Sequence, residues 1–371
     1  MAGILFVTWD GGGNLPPALA VAHELAHRGE NPRFLGHASQ RSAIESAGFA
    51  FEAYRHAREW SALTRHSTLR APLAYAGVFT DRGMGQDLLE SLQREPADRV
   101  VVDGLLIGAM HGLASAGVEY QVLVHSLRSV MMRTLTGGPL ALIMKVRRLD
   151  PAKHYRTAQG EIVTTLASFD PGSSEAPPTA TYTGPVIPVV ESAARPSTPP
   201  VVLVSFSTTY IQGQREVLQH VLDALADLEV HAIVTTGPAV AVDDLRATSN
   251  AEIHSFVPHS ELMQRASLVI GHGGHSTTML ALAHGVPLLV IPMNLGFDQP
   301  EIGRIVAERG VGLTLDRRTG TARLREAIET LLDSSRFREQ AELVGTELRA
   351  RRGAREAASV VLANPAALRK R

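Results

Sequence analysis

Short runs of Val, Ile and Leu alternate along this chain with longer stretches in which apolar residues recur every three or four positions. The short runs suit parallel strands buried on both faces, and the longer stretches suit the amphipathic helices that cross between them. In the first half this pattern predicts strands at residues 4–9, 32–36, 99–103, 120–125 and near 181–183. A helix is expected after the first of these. Pro16 and Pro17 suit its first turn, Leu19, Val21, Ala22, Leu25 and Ala26 make its apolar stripe, and His27, Arg28 and Gly29 mark its end.

Between Gly184 and Pro200 the rhythm stops. Prolines stand at positions 185, 188, 196, 199 and 200 among small and polar residues, the composition of an extended connector with no core of its own. The pattern then restarts, with strands predicted at 201–205, 231–235, 252–256, 268–271, 287–291 and 312–315. A typical intervening helix is expected at 212–228, where Val217, Val221, Leu222, Leu225 and Leu228 mark one face. The expected division is an amino-terminal domain at 1–185, a Pro-rich linker at 186–200 and a carboxy-terminal domain at 201–371. Residues 322–371 read as charged, Ala/Leu-rich helices with a break at Asn364-Pro365, free to pack back on the amino-terminal domain. The fold class is α/β: two doubly wound halves with a cleft between them, ligands lying beyond the strand carboxyl ends.

Composition agrees with two domains, since 371 residues exceed one ordinary core. The 36 basic and 37 acidic residues give a formal charge of −1 and no reason to expect nucleic acid as a partner. With no cysteine, disulfides, thiolate nucleophiles and Cys-ligated metals are excluded, and a reducing cytosol suits the chain. The opening segment has no basic n-region and its apolar run ends at Asp10, so it reads as a first strand rather than a signal peptide or membrane span. A cytoplasmic protein without stable membrane insertion is expected.

The densest chemical signal runs from Leu268 to Gln299. A strand feeds the turn Gly271-His272-Gly273-Gly274, and His275, Ser276 and Thr277 open a helix. Such a junction aims unpaired backbone N–H groups and the positive end of a helix dipole at one spot that glycines let an anion approach. His272, Ser276 and Thr277 can add donors there. The same residues also suit a tight turn with an ordinary N-cap. Farther on, Gly285-Val286-Pro287 restarts a strand, and Asp298-Gln299 falls in the loop at its carboxyl end, where a carboxylate and an amide can grip sugar hydroxyls or simply form a solvated turn.

These residues resemble the donor signature of the family 1 glycosyltransferases, especially the bacterial enzymes that decorate antibiotics and other small molecules. That signature has the shape His-Gly-Gly-x-Gly-Thr, Ala-Leu, Gly-Val-Pro, Pro and Asp-Gln. Here it stands as His272-Gly273-Gly274-His275-Ser276-Thr277, Ala281-Leu282, Gly285-Val286-Pro287, Pro292 and Asp298-Gln299. Residues 202–208, with Ser207 and Thr208, resemble the first strand and loop of the family's donor domain. Thr235-Thr236-Gly237 and Phe256-Val257-Pro258-His259 resemble two further loops, the second of which frames the nucleotide base. The resemblance implies the GT-B fold, two Rossmann-like domains facing across a cleft. It places the diphosphate on His272, Gly274, His275, Ser276 and Thr277, the sugar on Asp298 and Gln299, and further donor contacts at Ser207, Thr208 and Val257. Where plant relatives carry a glutamate for the ribose hydroxyls, this chain has Leu280.

At the amino terminus the family places a base in Gly-His-x-x-Pro. The corresponding stretch is Gly13-Asn14-Leu15-Pro16-Pro17, and an amide at Asn14 cannot take a proton. Asp103, at the end of the predicted strand 99–103, is the first replacement candidate, where the family keeps an aspartate that orients its histidine; a helix-capping carboxylate is the plain alternative. Asp10, one loop away, is the second, unless it braces the glycine turn. His125, His56 and His66 rank third, because a histidine near an apolar strand is more often a core residue.

The expected function is inverting, metal-independent transfer of a sugar from a UDP- or dTDP-sugar to a small hydrophobic, aromatic or polyketide-like acceptor. No cofactor or metal is expected beyond the nucleotide sugar, because no Asp-x-Asp or His/Glu cluster at ligand spacing appears. The acceptor pocket is expected from residues 51–98, with Trp60, Tyr75 and Phe79, and from 128–158. The assembly is expected to be a monomer or homodimer. Three other readings stay open: a cell-wall N-acetylglucosaminyltransferase acting on a lipid-linked acceptor, a GT-B sugar-nucleotide epimerase, and a non-catalytic sugar-nucleotide-binding protein, which Asn14 favours.

Overall fold

The computed structural model describes residues 3–66 and 70–363. Contacts divide the chain into two compact units, one made of residues up to Val186 together with those from Arg352 onward, the other of Ile187–Arg351.

The first unit is built on seven strands: β1 (Gly3–Val7), β2 (Asn31–Gly36), β3 (Ala50–Ala53), β4 (Arg99–Asp103), β5 (Gln121–Val124), β6 (Gly160–Val163) and β7 (Ala180–Tyr182). All pair in parallel in the order β3-β2-β1-β4-β5-β6-β7. The direction of winding reverses between β1 and β4, and loops that leave those two strands diverge there to leave a crevice. Helix Leu15–His27 follows β1 with a proline in its first turn and buries Pro17, Ala18, Val21, Ala22 and Leu25.

Two strands, β3 and β6, had no counterpart in the sequence reading. β3 is an edge strand whose residues Ala-Phe-Glu-Ala are only partly covered, so it lacks the apolar run of a central strand. β6 is fully buried yet contains Glu161, which the guanidinium of Arg128 neutralises by a two-point contact. A buried, paired carboxylate reads as a polar interruption in a one-dimensional pattern.

The second unit contains β8 (Val201–Ser205), β9 (His231–Thr235), β10 (Ala251–His254), β11 (Ala266–Gly271), β12 (Leu288–Val290) and β13 (Gly312–Thr314), all parallel in the order β10-β9-β8-β11-β12-β13. Its winding reverses between β8 and β11. Helix Gln214–Leu225 covers one face through Val217, Leu218, Val221, Leu222 and Leu225. Part of the Pro-rich stretch lies against this unit, since the Ala194 amide donates to His284 O (2.8 Å) and the Arg195 amide to Gln264 O (2.8 Å).

Helix Gly353–Leu362 belongs to the first unit. It buries Ala357, Ala358 and Val361 in the core formed with Ile4, Phe6, Val21 and Leu25. Arg28 reaches it from the end of helix Leu15–His27, donating to Ser359 Oγ (2.9 Å) and Arg355 O (2.7 Å). A Cβ on Gly353 would lie 2.2 Å from Pro185 O, so the close approach of these two segments requires glycine. The Asn364-Pro365 break falls outside the described residues. No described helix is long and apolar enough to cross a membrane.

Candidate functional site

Both winding reversals carry the residues that the sequence singled out. In the second unit, β8 leads into Phe206-Ser207-Thr208 and β11 ends at Gly271, so these loops start side by side at the β8/β11 crevice. Gly273 adopts φ +81°, a left-handed conformation; a Cβ there would stand 2.9 Å from Val290 Cγ1. The next element is helix His275–Ala283, whose N-cap Gly274 has no side chain to close it. Its first hydrogen bond inside the helix frame is Thr278 N to Gly274 O (3.0 Å). The amides of the first turn therefore point out of the helix start with the dipole behind them.

Ser276 is exposed, Thr277 is partly exposed, and His275 and Thr278 are buried. Burial pushes the His272 imidazole down to about 4, an effect that the Ser205 carbonyl only partly offsets. At neutral pH His272 is thus an uncharged donor or acceptor. Its Nδ1 is enclosed and has no partner among the described residues, and a cavity beside the ring is lined by Ser205, Gly274, Thr277 and Thr278. Ser207 is buried; its Oγ meets Thr209 Oγ1 (2.8 Å) and accepts from the Thr209 amide (3.1 Å), while Thr208 is exposed.

Asp298 is the N-cap residue of helix Gln299–Glu308, without a side-chain capping bond. Gln299 is buried, and its Oε1 accepts from the amides of Met293 (2.8 Å) and Asn294 (2.7 Å). Its carbonyl oxygen therefore folds the loop after β12, and Nε2 is the group left for a ligand. That division of labour within one amide carries no sequence signal. Val257 is partly buried, whereas its neighbour Phe256 presents its ring to solvent at 78% exposure. Phe256 thus offers an exposed aromatic face, which Val257 does not. Leu280 is only 6% exposed.

In the first unit Asn14 leaves the β1 loop and Asp103 closes β4, on either side of the other crevice. Asn14 Nδ2 donates to Asp103 Oδ2 (2.8 Å) and lies 3.1 Å from Trp9 O, while its Oδ1 accepts from the Gly11 amide (3.2 Å). Asn14 thus locks the glycine turn onto Asp103. Asp103 is 5% exposed and takes the Leu105 amide on Oδ1 (3.0 Å). His125, just past β5, brings Nε2 to 3.2 Å from Asp103 Oδ2.

Asp10 has a bracing position: its Oδ2 accepts from Ser39 Oγ (2.8 Å) and the Ala62 amide (3.2 Å), and its carbonyl from Trp60 Nε1 (2.8 Å). Trp60 belongs to an aromatic group with Trp9, Tyr75 and Phe79, in which Trp9 lies 5.1 Å from Phe79 and Trp60 lies 5.1 Å from Tyr75, centroid to centroid. His66 stacks on Trp60 at 5.4 Å.

His56, Asp87 and Glu90 bring ligand-type atoms within 4.8 Å of one another, a grouping that sequence spacing did not reveal. Asp87 is already occupied by the amides of Arg55, His56 and Ala57 (3.0–3.1 Å), so it ties that loop to helix Arg82–Arg94.

Residues 219–363 match the C-terminal domain of erythromycin biosynthesis protein CIII-like proteins. Over 94% of its length the chain is 25% identical to 4'-demethylrebeccamycin synthase of Lentzea aerocolonigenes, covering 96% of that protein. Its fold is similar to that of the glycotransferase of kitacinnamycin (TM-score 0.77, 21% identity, 97% of this chain and 98% of that one). It is likewise similar to CalG4, the calicheamicin glycosyltransferase (TM-score 0.75, 21% identity, 100% and 99%). The chain thus has the GT-B fold of these glycosyltransferases, and its donor signature, His272 to Gln299, lies within the stretch that the erythromycin-biosynthesis C-terminal domain matches.

Proposed function

We propose that this enzyme is an inverting, metal-independent transferase that moves a sugar from a dTDP- or UDP-sugar to a small aromatic or polyketide-like acceptor. The observation that carries the proposal is the helix start at Gly274–Thr277, whose N-cap is a glycine with no side chain to offer and which is placed at the β8/β11 crevice. Amides and a helix dipole can stabilise the charge that grows on a departing diphosphate without a metal ion. Phe256 stacks on the base, and the Nε2 of Gln299 and the carboxylate of Asp298 meet the sugar. Leu280 offers a ribose 2'-hydroxyl no hydrogen bond, which favours dTDP over UDP.

In the first unit Asp103 is the proton acceptor. The acceptor O–H gives its proton to the carboxylate, the oxygen forms a bond to the anomeric carbon, and the carbon–oxygen bond to the diphosphate breaks with its electron pair. One displacement inverts the configuration. The aromatic group joined to the Asp10 loop through Trp60 favours a flat acceptor, as do the antibiotic-pathway names of the relatives.

The alternative of a non-catalytic sugar-nucleotide binder rests on Asn14, whose amide cannot act as a base. Turnover separates the two. dTDP- and UDP-sugars are offered with phenolic and polyketide acceptors, and products are read by mass spectrometry. The proposal expects acceptor-dependent release of nucleoside diphosphate, with Asp103→Asn losing roughly 100-fold or more in kcat. Nucleotide affinity without product for any acceptor supports the binder, and full activity in Asp103→Asn removes the base assignment.

A further inference from the structure

Three strand ends converge on the carboxylate of Asp103. The Leu105 amide holds Oδ1 from its own strand end at 3.0 Å, and Oδ2 faces Asn14 Nδ2 at 2.8 Å and His125 Nε2 at 3.2 Å. Asn14 is spent at both ends, its oxygen on Gly11 and its nitrogen on Asp103 and the Trp9 carbonyl. His125 is differently placed. Its side chain is 13% exposed, and its other nitrogen, Nδ1, is enclosed with no partner among the described residues.

That asymmetry decides what the ring can do. A nitrogen facing a carboxylate must carry the ring proton, because two lone pairs would otherwise meet. The ring therefore serves as an Nε2–H donor to the carboxylate, with Nδ1 taking no part. Tyr54 and Tyr155 also lie within the field of Asp103, and both hydroxyls are already committed, to Thr8 O (2.8 Å) and Gly104 O (2.6 Å). Neither hydroxyl is left to orient the carboxylate.

We infer that His125 is a positioning residue for the transfer, its Nε2–H holding Asp103 in the rotamer that takes the acceptor's proton. The inference rests on the reading of Asp103 as proton acceptor. It exchanges the roles expected of such a pair: the aspartate receives the proton, and a histidine from the neighbouring strand end orients it. His125 keeps its own proton throughout. The acceptor proton passes to Asp103, and the electron pair of the broken glycosidic bond leaves with the diphosphate.

The test uses the full-length enzyme with His125→Gln, His125→Asn and His125→Ala, each alone and combined with Asp103→Asn, with kcat and both KM values measured. Glutamine carries an amide nitrogen to about the reach of Nε2, and asparagine only to that of Nδ1. The expected result is a kcat loss of roughly 10- to 100-fold for Ala and Asn, because a misplaced reacting group costs that much. Both KM values should stay within about 2-fold and Gln should recover most of kcat, the pattern of an interaction used in the transition state. In the Asp103→Asn background, His125→Ala should cost nothing further.

If Gln is as slow as Ala, or if Ala keeps wild-type kcat while Asp103→Asn is inactive, His125 has no positioning role and Asp103 stands alone. Full activity of Asp103→Asn overturns the base assignment itself, a separate outcome. Should the Ala variant fail to fold, the comparison of Gln with Asn decides: equal rates refute the inference.

Discussion

Gln299 is the residue whose double duty can be taken apart most cleanly. Its Oε1 satisfies two backbone donors, Met293 N and Asn294 N, at 2.8 and 2.7 Å, and its side chain is buried at the first position of helix Gln299–Glu308. In Gln299→Ala both amides lose their acceptor. An unsatisfied buried donor costs roughly 1–3 kcal/mol, and the loop can recover part of that by opening to water, which leaves about 2–4 kcal/mol for the pair. At roughly 2–4 °C per kcal/mol for a unit of this size, the melting temperature should fall by about 4–16 °C.

Gln299→Glu separates the two duties. Its carboxylate can accept both amides, and a negative charge is favourable at a helix N-terminus. The loop should then hold, with a melting temperature within about 3 °C of wild type. The Nε2 donor is gone, so the KM for the sugar nucleotide should rise roughly 10-fold, the scale of one lost hydrogen bond in a site. Differential scanning fluorimetry and steady-state kinetics on the two variants read both quantities. A Gln299→Ala protein as stable as wild type refutes the loop-pinning argument. An unchanged donor KM in Gln299→Glu refutes contact of Nε2 with the sugar.

Further expectations concern pH and the returning helix. Burial lowers His37, His154 and His272 to about 4, below the ordinary 6.5 of an exposed imidazole. In this window the unfolded chain binds protons that the folded chain refuses, so stability rises with pH. The urea midpoint should therefore drop between pH 7 and pH 5; a midpoint independent of pH there contradicts the assigned burial. Gly353→Ala places a methyl 2.2 Å from Pro185 O. It should cost about 1–3 kcal/mol in thermal or chemical unfolding, as overpacking does, and a neutral result denies the close approach of these segments.

How far the sequence carries depends on what each residue does. Strands such as β4, β8 and β9 were readable to the residue because both faces are buried, so apolar runs end where the strands end. β6 escaped notice because the polarity of Glu161 is cancelled by Arg128, a partner 33 positions away. At the sites, the glycine turn before helix His275–Ala283 was legible because its left-handed residue, Gly273, has to be glycine. The nearness of Asn14 to Asp103 came only through the family resemblance, since it follows from β1 lying beside β4, a neighbourhood that the succession of strands and helices does not specify. His125 ranked behind Asp10 for the same reason: its meaning lies in one distance to a carboxylate on the adjacent strand. Asp10, in turn, holds Ser39 and Ala62.

The central claim is that the turn Gly271 to Thr277 seats the diphosphate of a sugar nucleotide, and calorimetric titration of dTDP and UDP into the wild-type protein and Gly273→Ala tests it most directly. A left-handed backbone costs a side chain roughly 1–2 kcal/mol, and the added methyl would meet Val290 Cγ1 at 2.9 Å. The account predicts nucleotide binding by the wild type that weakens by about 10-fold or more in Gly273→Ala. Equal affinity in the two proteins, or no nucleotide binding by the wild type, would contradict it.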